Sequence, residues 1–281
     1  MYVAMFLSSQ VSYAVDNNLT FASIKNASAA IHTAHAMASL PDVTNHSSVR
    51  AVRSCAQRLL LSSGTLNRRD PLCLSLCMST VSSLLSPPAS SVFTLQTATF
   101  IMVCFAGFLR YNCATHIFAD EVRFYPSHME LFLEKRKNSQ FRSGEVVCIS
   151  RGSSLACPVS LLQQLLQATG SSQLHVPVFR SFVCSLGQPV SLHPTKAWSY
   201  AQARHFALKA LSSEAGVPLS CFAKKYGLHS LRSGGASIVA SKNVPDHIFQ
   251  AHGAWRSSSA MHAYIAPSLH NKLLPTSTMQ Y

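Results

Sequence analysis

The residues best suited to chemistry lie late in the chain. The segment GLHSLRSGGASIVA, Gly227 to Ala240, sets His229 and Arg232 three positions apart, so a helix presents both on one face, with two glycines just behind them. An imidazole and a guanidinium placed this way can converge on one small anion. Twenty residues further on, the block HGAWRSSSAMHAYI sets Trp255 and Tyr264 nine positions apart. Each of these residues has an ordinary explanation when taken singly. A histidine can be a satisfied core residue, aromatics fill cores, and HxxR matches arise by chance in a chain with 13 histidines.

Together the two blocks resemble the end of the catalytic domain of tyrosine recombinases, the phage integrase family. There, HxxR is followed by a glycine-containing turn bearing His or Trp, and then by the tyrosine nine residues later. HSLRSGGAS followed by GAWRSSSAMHAYI looks most like the recombinases of DIRS-type and Crypton-type mobile elements. Two further positions match upstream. CFAGFLRYN supplies Arg110 at the end of an apolar helix, in the place of the family's first catalytic arginine. The hairpin turn EKRKNSQF supplies Lys137 in the place of the family's lysine between its second and third strands, with Lys135 as a second register. The resemblance covers roughly 72–270, and only loosely the first seventy residues.

The resemblance implies DNA recombination or integration by strand breakage and rejoining through a 3′-phosphotyrosyl intermediate, with Tyr264 as nucleophile. The substrate is a phosphodiester whose transition state gathers negative charge on its non-bridging oxygens. Arg110 and Arg232 suit that charge, because guanidinium stays protonated and binds phosphate oxygens in a planar fork. A phenol with a pKa of about 10 must lose its proton as it attacks, which gives His229 the role of acceptor or orienter. Lys137 is the implied donor to the leaving 5′ oxygen, and Trp255 the implied indole N–H donor and wall of the site. No metal or cofactor is expected. The implied partner is double-stranded DNA bound by a homotetramer, without membrane association. The expected location is the nucleus if the chain comes from a eukaryotic mobile element, and the cytoplasm otherwise.

Two departures bear on activity. Where the family usually carries an acid three residues after its first arginine, this chain has Cys113, and a thiol holds no ion pair unless ionised. The N-terminal region also offers two or three helices where the family has about four. These departures keep open a mobile-element remnant that only binds DNA. A type IB topoisomerase, which shares the Arg, Lys, His and Tyr chemistry, and a non-enzymatic Cys/His metal protein are further alternatives.

The elements that must position these residues follow from periodicity. Apolar residues at helical spacing predict helices over 19–38 and 48–61, the second with Arg50, Arg53 and Arg58 on one face. SSGTLNRRD, 62–70, is polar and breaks the pattern, which separates two domains, 1–66 and 71–275; the resemblance implies a partial helical core-binding (SAM-like) domain for the first and the catalytic domain for the second. The second domain reads as helices at 72–85 and from Thr94 to about Arg110, then strands in EVRFYP, HMELFLE and VVCIS around the polar turn EKRKNSQFRSGE. Helices return at 158–168, 174–185, 197–213 and 228–242, with short ones near Pro245 and Tyr264. The fold class is therefore mainly α with a small three-stranded antiparallel sheet.

Composition agrees with this reading. With 281 residues, 48% of them apolar and 12% charged, the chain can bury a sizeable core. Lys and Arg outnumber Asp and Glu by 23 to 10, the balance of a polyanion-binding surface. The nine cysteines form no CxxC pair, and Cys73 and Cys77 sit one turn apart in a stretch read as buried helix, which argues against a zinc site or disulfide framework. The opening MYVAMFLSSQ lacks a basic n-region and makes a poor signal peptide, and the longest apolar run, Phe100 to Leu109, is too short to span a bilayer.

Overall fold

The computed structural model describes residues 2–61, 69–87, 91–133, 145–183, 191–242, 244–262 and 264. The chain divides into two compact units, Met1–Arg68 and Arg69–Tyr281. The first contains α1 (Tyr2–Asp16), α2 (Phe21–Met37) and α3 (Ser47–Leu61), each packed on the other two. Their small core is built on Leu7, Val11, Ile24, Val49 and Leu60. α2 and α3 lie where periodicity places them, whereas α1 occupies a stretch in which periodicity predicts no helix. No helix among the described residues is long and apolar enough to cross a membrane.

The second unit runs α4 (Leu74–Leu85), α5 (Val92–Ala106), α6 (Tyr111–Ala114), β1 (Val122–Phe124), β2 (His128–Leu133), β3 (Glu145–Ser150), α7 (Pro158–Ala168), β4 (Arg180–Val183), β5 (Ser191–Ala197), α8 (Tyr200–Glu214), α9 (Leu219–Lys225), α10 (His229–Ala240), α11 (Asp246–Gly253) and α12 (Ser258–His262). It is mainly helical with a three-stranded antiparallel sheet in the order β1-β2-β3, and a separate β4-β5 hairpin. The alternation HMELFLE sets the register of the larger sheet. Met129, Leu131 and Leu133 face the core, with Ile149 opposite Met129 and Val147 opposite Leu131.

The axis of the unit is α5. A reciprocal cap starts it, with Thr94 N–H donating to Ser91 Oγ at 3.2 Å and Ser91 N–H to Thr94 Oγ1 at 2.9 Å. It is buried from Gln96 to Phe105 because α4, α7, α8 and α10 pack against it. Phe100 meets the rings of Phe179 and Trp198 edge-on at 5.2 and 5.3 Å. Each such buried side chain contributes roughly 1.5–3 kcal/mol through apolar area alone.

Four expectations need correction. The helix expected over 174–185 is not formed across the described residues 174–183, which run as bends and one bridge at Pro177 into β4; residues 184–185 lie outside the described residues. Ala119 N–H donates to Val176 O and Val178 N–H to Ile117 O, both at 2.9 Å, while Trp198 N–H donates to Phe179 O on the other side. Pro177 has no N–H to give a helix interior, so backbone partners distant in sequence take over. The helix expected to reach Arg110 ends at Ala106. The helix expected from 197 starts at Tyr200, capped by Ser199, because Ala197 belongs to β5. Finally, Cys77 is buried but Cys73 is exposed at the N-cap of α4.

Candidate active site

A short turn joins α5 to α6, and that connection carries Arg110. After Gly107, Phe108 adopts a left-handed conformation at φ 48°, a costly one for a bulky residue. Arg110 follows in extended backbone as the N-cap of α6. Phe108 tolerates the strain because both its ends are engaged. Its ring meets His252 edge-on at 4.6 Å, and its carbonyl accepts from Arg232 Nη1.

Arg232 is 2% exposed, on the first turn of α10. Nη2 donates to Gly253 O at 2.7 Å, so one guanidinium ties the turn before Arg110 to the end of α11. Helix α10 reaches this depth because of Gly234 and Gly235. A Cβ on Gly234 would lie 2.2 Å from Leu72 O, and one on Gly235 would lie 2.2 Å from Phe105 O. The two glycines of HSLRSGGAS therefore let helix backbone meet neighbouring backbone directly.

Helix α11 ends at Ala254 in a left-handed C-cap with φ 47°, which turns the chain into Trp255. Trp255 packs its ring against Gly253, where a Cβ would sit 1.8 Å from Cζ3. We expect Gly253→Ala to displace both the indole and the carbonyl that receives Arg232, costing about 1–3 kcal/mol or more. The denaturant midpoint should fall and the fluorescence of Trp255, one of two tryptophans, should shift. An unchanged midpoint would contradict the packing described.

Tyr264 follows α12, its N–H donating to Met261 O at 2.9 Å. Its phenol oxygen accepts from Arg110 Nη2 at 3.4 Å. The guanidinium of Arg232 lies 4.8 Å from the Tyr264 ring and 4.5 Å from the Trp255 ring, and the two rings are 5.5 Å apart. Arg110, Arg232, Trp255 and Tyr264 are thus brought together from four separate segments. The Trp255 indole N–H is buried with no acceptor among the described residues. Such a donor costs about 1–3 kcal/mol unless an acceptor reaches it. Two guanidinium groups and this N–H form a site suited to an oxyanion.

His229 opens α10 with its side chain exposed, three residues before Arg232. Lys137, and Lys135 with it, lies outside the described residues. Cys113 is 5% exposed and belongs to the main core, so the position of the family's acid holds an apolar contact instead. Among the described residues, the Arg110 guanidinium has the Tyr264 oxygen as its hydrogen-bond partner.

Sequence reasoning missed the backbone carbonyls that support these groups. The carbonyls of Phe108 and Gly253 aim Arg232, and His252 Nε2 donates to Ala106 O at 2.9 Å, pinning α11 to the end of α5. Gly253, two residues before Trp255, and the pair Gly234 and Gly235 were the visible signals; nothing in the sequence marks the left-handed Phe108.

No protein-family model matches the chain, and neither does any curated protein sequence. Solved structures do match. The XerH site-specific recombinase bound to palindromic difH substrate, in a post-cleavage complex, superposes with a TM-score of 0.64 at 13% identity, over 99% of this chain and 72% of that one. The Tn1549 transposon integrase in complex with circular intermediate DNA gives 0.54 at 11% identity, over 97% and 84%. XerA recombinase gives 0.54 at 12% identity, over 99% and 90%. The chain therefore has the fold of tyrosine recombinase catalytic domains.

Proposed function

We propose that the chain is a DNA strand transferase of the tyrosine recombinase type, acting on double-stranded DNA as a homotetramer. The observation that carries this reading is the phenol of Tyr264, whose oxygen lies 3.4 Å from a nitrogen of Arg110 and whose ring lies 4.8 Å from the guanidinium of Arg232. The solved recombinase and transposon integrase complexes with DNA that share the fold add support.

The proposed reaction begins with a phosphodiester seated against Arg110. The Tyr264 ring covers Arg232, so the second arginine reaches the phosphate when the ring swings aside to attack. The phenol gives up its proton, with His229 as acceptor or orienter. The Tyr264 O–P bond forms as the bond from phosphorus to the 5′ oxygen breaks, and the leaving oxygen takes a proton from Lys137. Trp255 donates its indole N–H to a phosphate oxygen. Rejoining is the reverse attack by a 5′ hydroxyl, so phosphodiester bond energy is kept in the phosphotyrosine. Each charge-assisted bond to the phosphate contributes on the order of 1.5–3 kcal/mol, and more in a preorganised site shielded from water.

The test is strand exchange between two duplexes that carry the inverted or split direct repeats flanking the coding region. Recombinant strands are expected. Relaxation of supercoiled plasmid without exchange would assign the chain to the topoisomerases, and binding without either activity would leave the remnant reading. Binding itself should weaken steeply with added salt, because phosphate contacts release counterions. A titration between about 50 and 200 mM salt with no loss of affinity would contradict a phosphate-binding surface.

A further inference from the structure

Two charged side chains are buried among the described residues, Arg232 at 2% and Arg180 at 8% exposure. The first belongs to the candidate active site; the second has no part in it. Arg180 stands at the start of β4, where the buried side chain of Gln96 bonds its backbone N–H and carbonyl at 3.0 and 2.9 Å. In its guanidinium, Nη2 donates to Ser171 Oγ at 2.8 Å and Nη1 to Pro194 O at 3.4 Å. The Nε–H is buried with no acceptor among the described residues.

Among the described residues no carboxylate is paired with this charge. The chain has 10 Asp and Glu, of which Glu134 alone falls outside the described residues. None of the others is paired with Arg180. The stretches 88–90 and 184–190, close in sequence to Val92 and Ser191, contain no acid at all. Burial without an anion holds the pKa of Arg180 below the usual guanidinium range. Enclosing a charge without its counterion costs several kcal/mol.

Arg180 lines a cavity of about 330 Å³. Thr169 and Ser191 bring hydroxyls to it, and Val92, Phe93 and Phe182 bring apolar walls. The volume falls at the small end of ligand sites, and a few polar groups among apolar and aromatic walls are their usual lining.

We propose that this cavity binds a small organic oxyanion, a phosphate ester or a carboxylate, with its charged end on Arg180 and its apolar body against Phe93 and Phe182. A guanidinium fork fits either head group. The site is independent of the strand-transfer reading, since it uses none of the residues assigned to it.

The experiment is thermal unfolding of the full chain with phenyl phosphate, benzoate or inorganic phosphate, at constant ionic strength. Phenyl phosphate or benzoate should raise the midpoint saturably, and whichever does so identifies the head group. Arg110→Gln should respond as the wild type does, which separates this site from the candidate active site. Arg180→Gln should weaken the response about tenfold to a hundredfold, the loss of one charge-assisted bond. Ser191→Leu, which fills the cavity and leaves the guanidinium in place, should abolish it, and it carries the test if Arg180→Gln does not fold. The proposal fails if no probe shifts the midpoint or if inorganic phosphate does as well as the organic anions. It fails equally if Ser191→Leu responds like wild type or if Arg110→Gln loses the response.

Discussion

Arg232→Gln should lower both stability and the rate of DNA cleavage, an uncommon pairing for one surface-independent site. The guanidinium spans the carbonyls of Phe108 and Gly253, and glutamine cannot reach both. Two interior acceptors then lose a donor, at about 1–3 kcal/mol each. The arginine also lies over the rings of Trp255 and Tyr264, so its loss loosens the packing of the proposed nucleophile. Removing one preorganised donor to a developing oxyanion costs about 10²–10³ in rate. Arg232→Lys should recover little, because a single ammonium cannot replace a planar fork. Denaturant unfolding and single-turnover cleavage at saturating DNA measure the two effects separately. A variant as stable and as fast as wild type would show that Arg232 is neither the clasp nor the clamp described.

Tyr264→Phe should behave in the opposite way, with strand exchange lost and the fold kept. The ring retains its place over Arg232 and beside Trp255, and among the described residues the bond removed is the 3.4 Å contact with Arg110. Stability should change by no more than about 0.5 kcal/mol, the range for substitutions that break no buried feature. DNA affinity should also persist, since phosphate contacts and not the hydroxyl dominate binding. Exchange by the phenylalanine variant at a measurable rate would require another nucleophile.

How far the sequence showed all this depended on whether the signal was local. Met129, Leu131 and Leu133 alternate with polar neighbours, and their strand was readable from that alternation. The period of α10 was equally plain, and Gly234 and Gly235 hinted at the close approach that Leu72 and Phe105 make. Residues 174–185 misled because a short apolar run fits a helix or a strand equally, and its partners at Ile117, Ala119 and Trp198 are set by the tertiary fold. β5 escaped notice for a related reason, since SLHPTKA holds a proline and becomes a strand through pairing with β4. In the candidate site the charged and aromatic residues were legible as residue types in order. Their supports were not, because the backbone carbonyls that aim Arg232 and the left-handed turn at Phe108 carry no residue code.

The central claim is that the Tyr264 oxygen becomes bonded to a DNA phosphorus, and covalent capture tests it most directly. A nicked suicide duplex carrying the terminal repeat lets the short 5′-hydroxyl fragment diffuse away, so any phosphotyrosyl product accumulates. The account predicts a protein–DNA adduct that survives denaturing electrophoresis, maps to the peptide containing Tyr264 and disappears in Tyr264→Phe. A chain that binds this duplex yet yields no adduct, or an adduct that persists without the tyrosine, would contradict it.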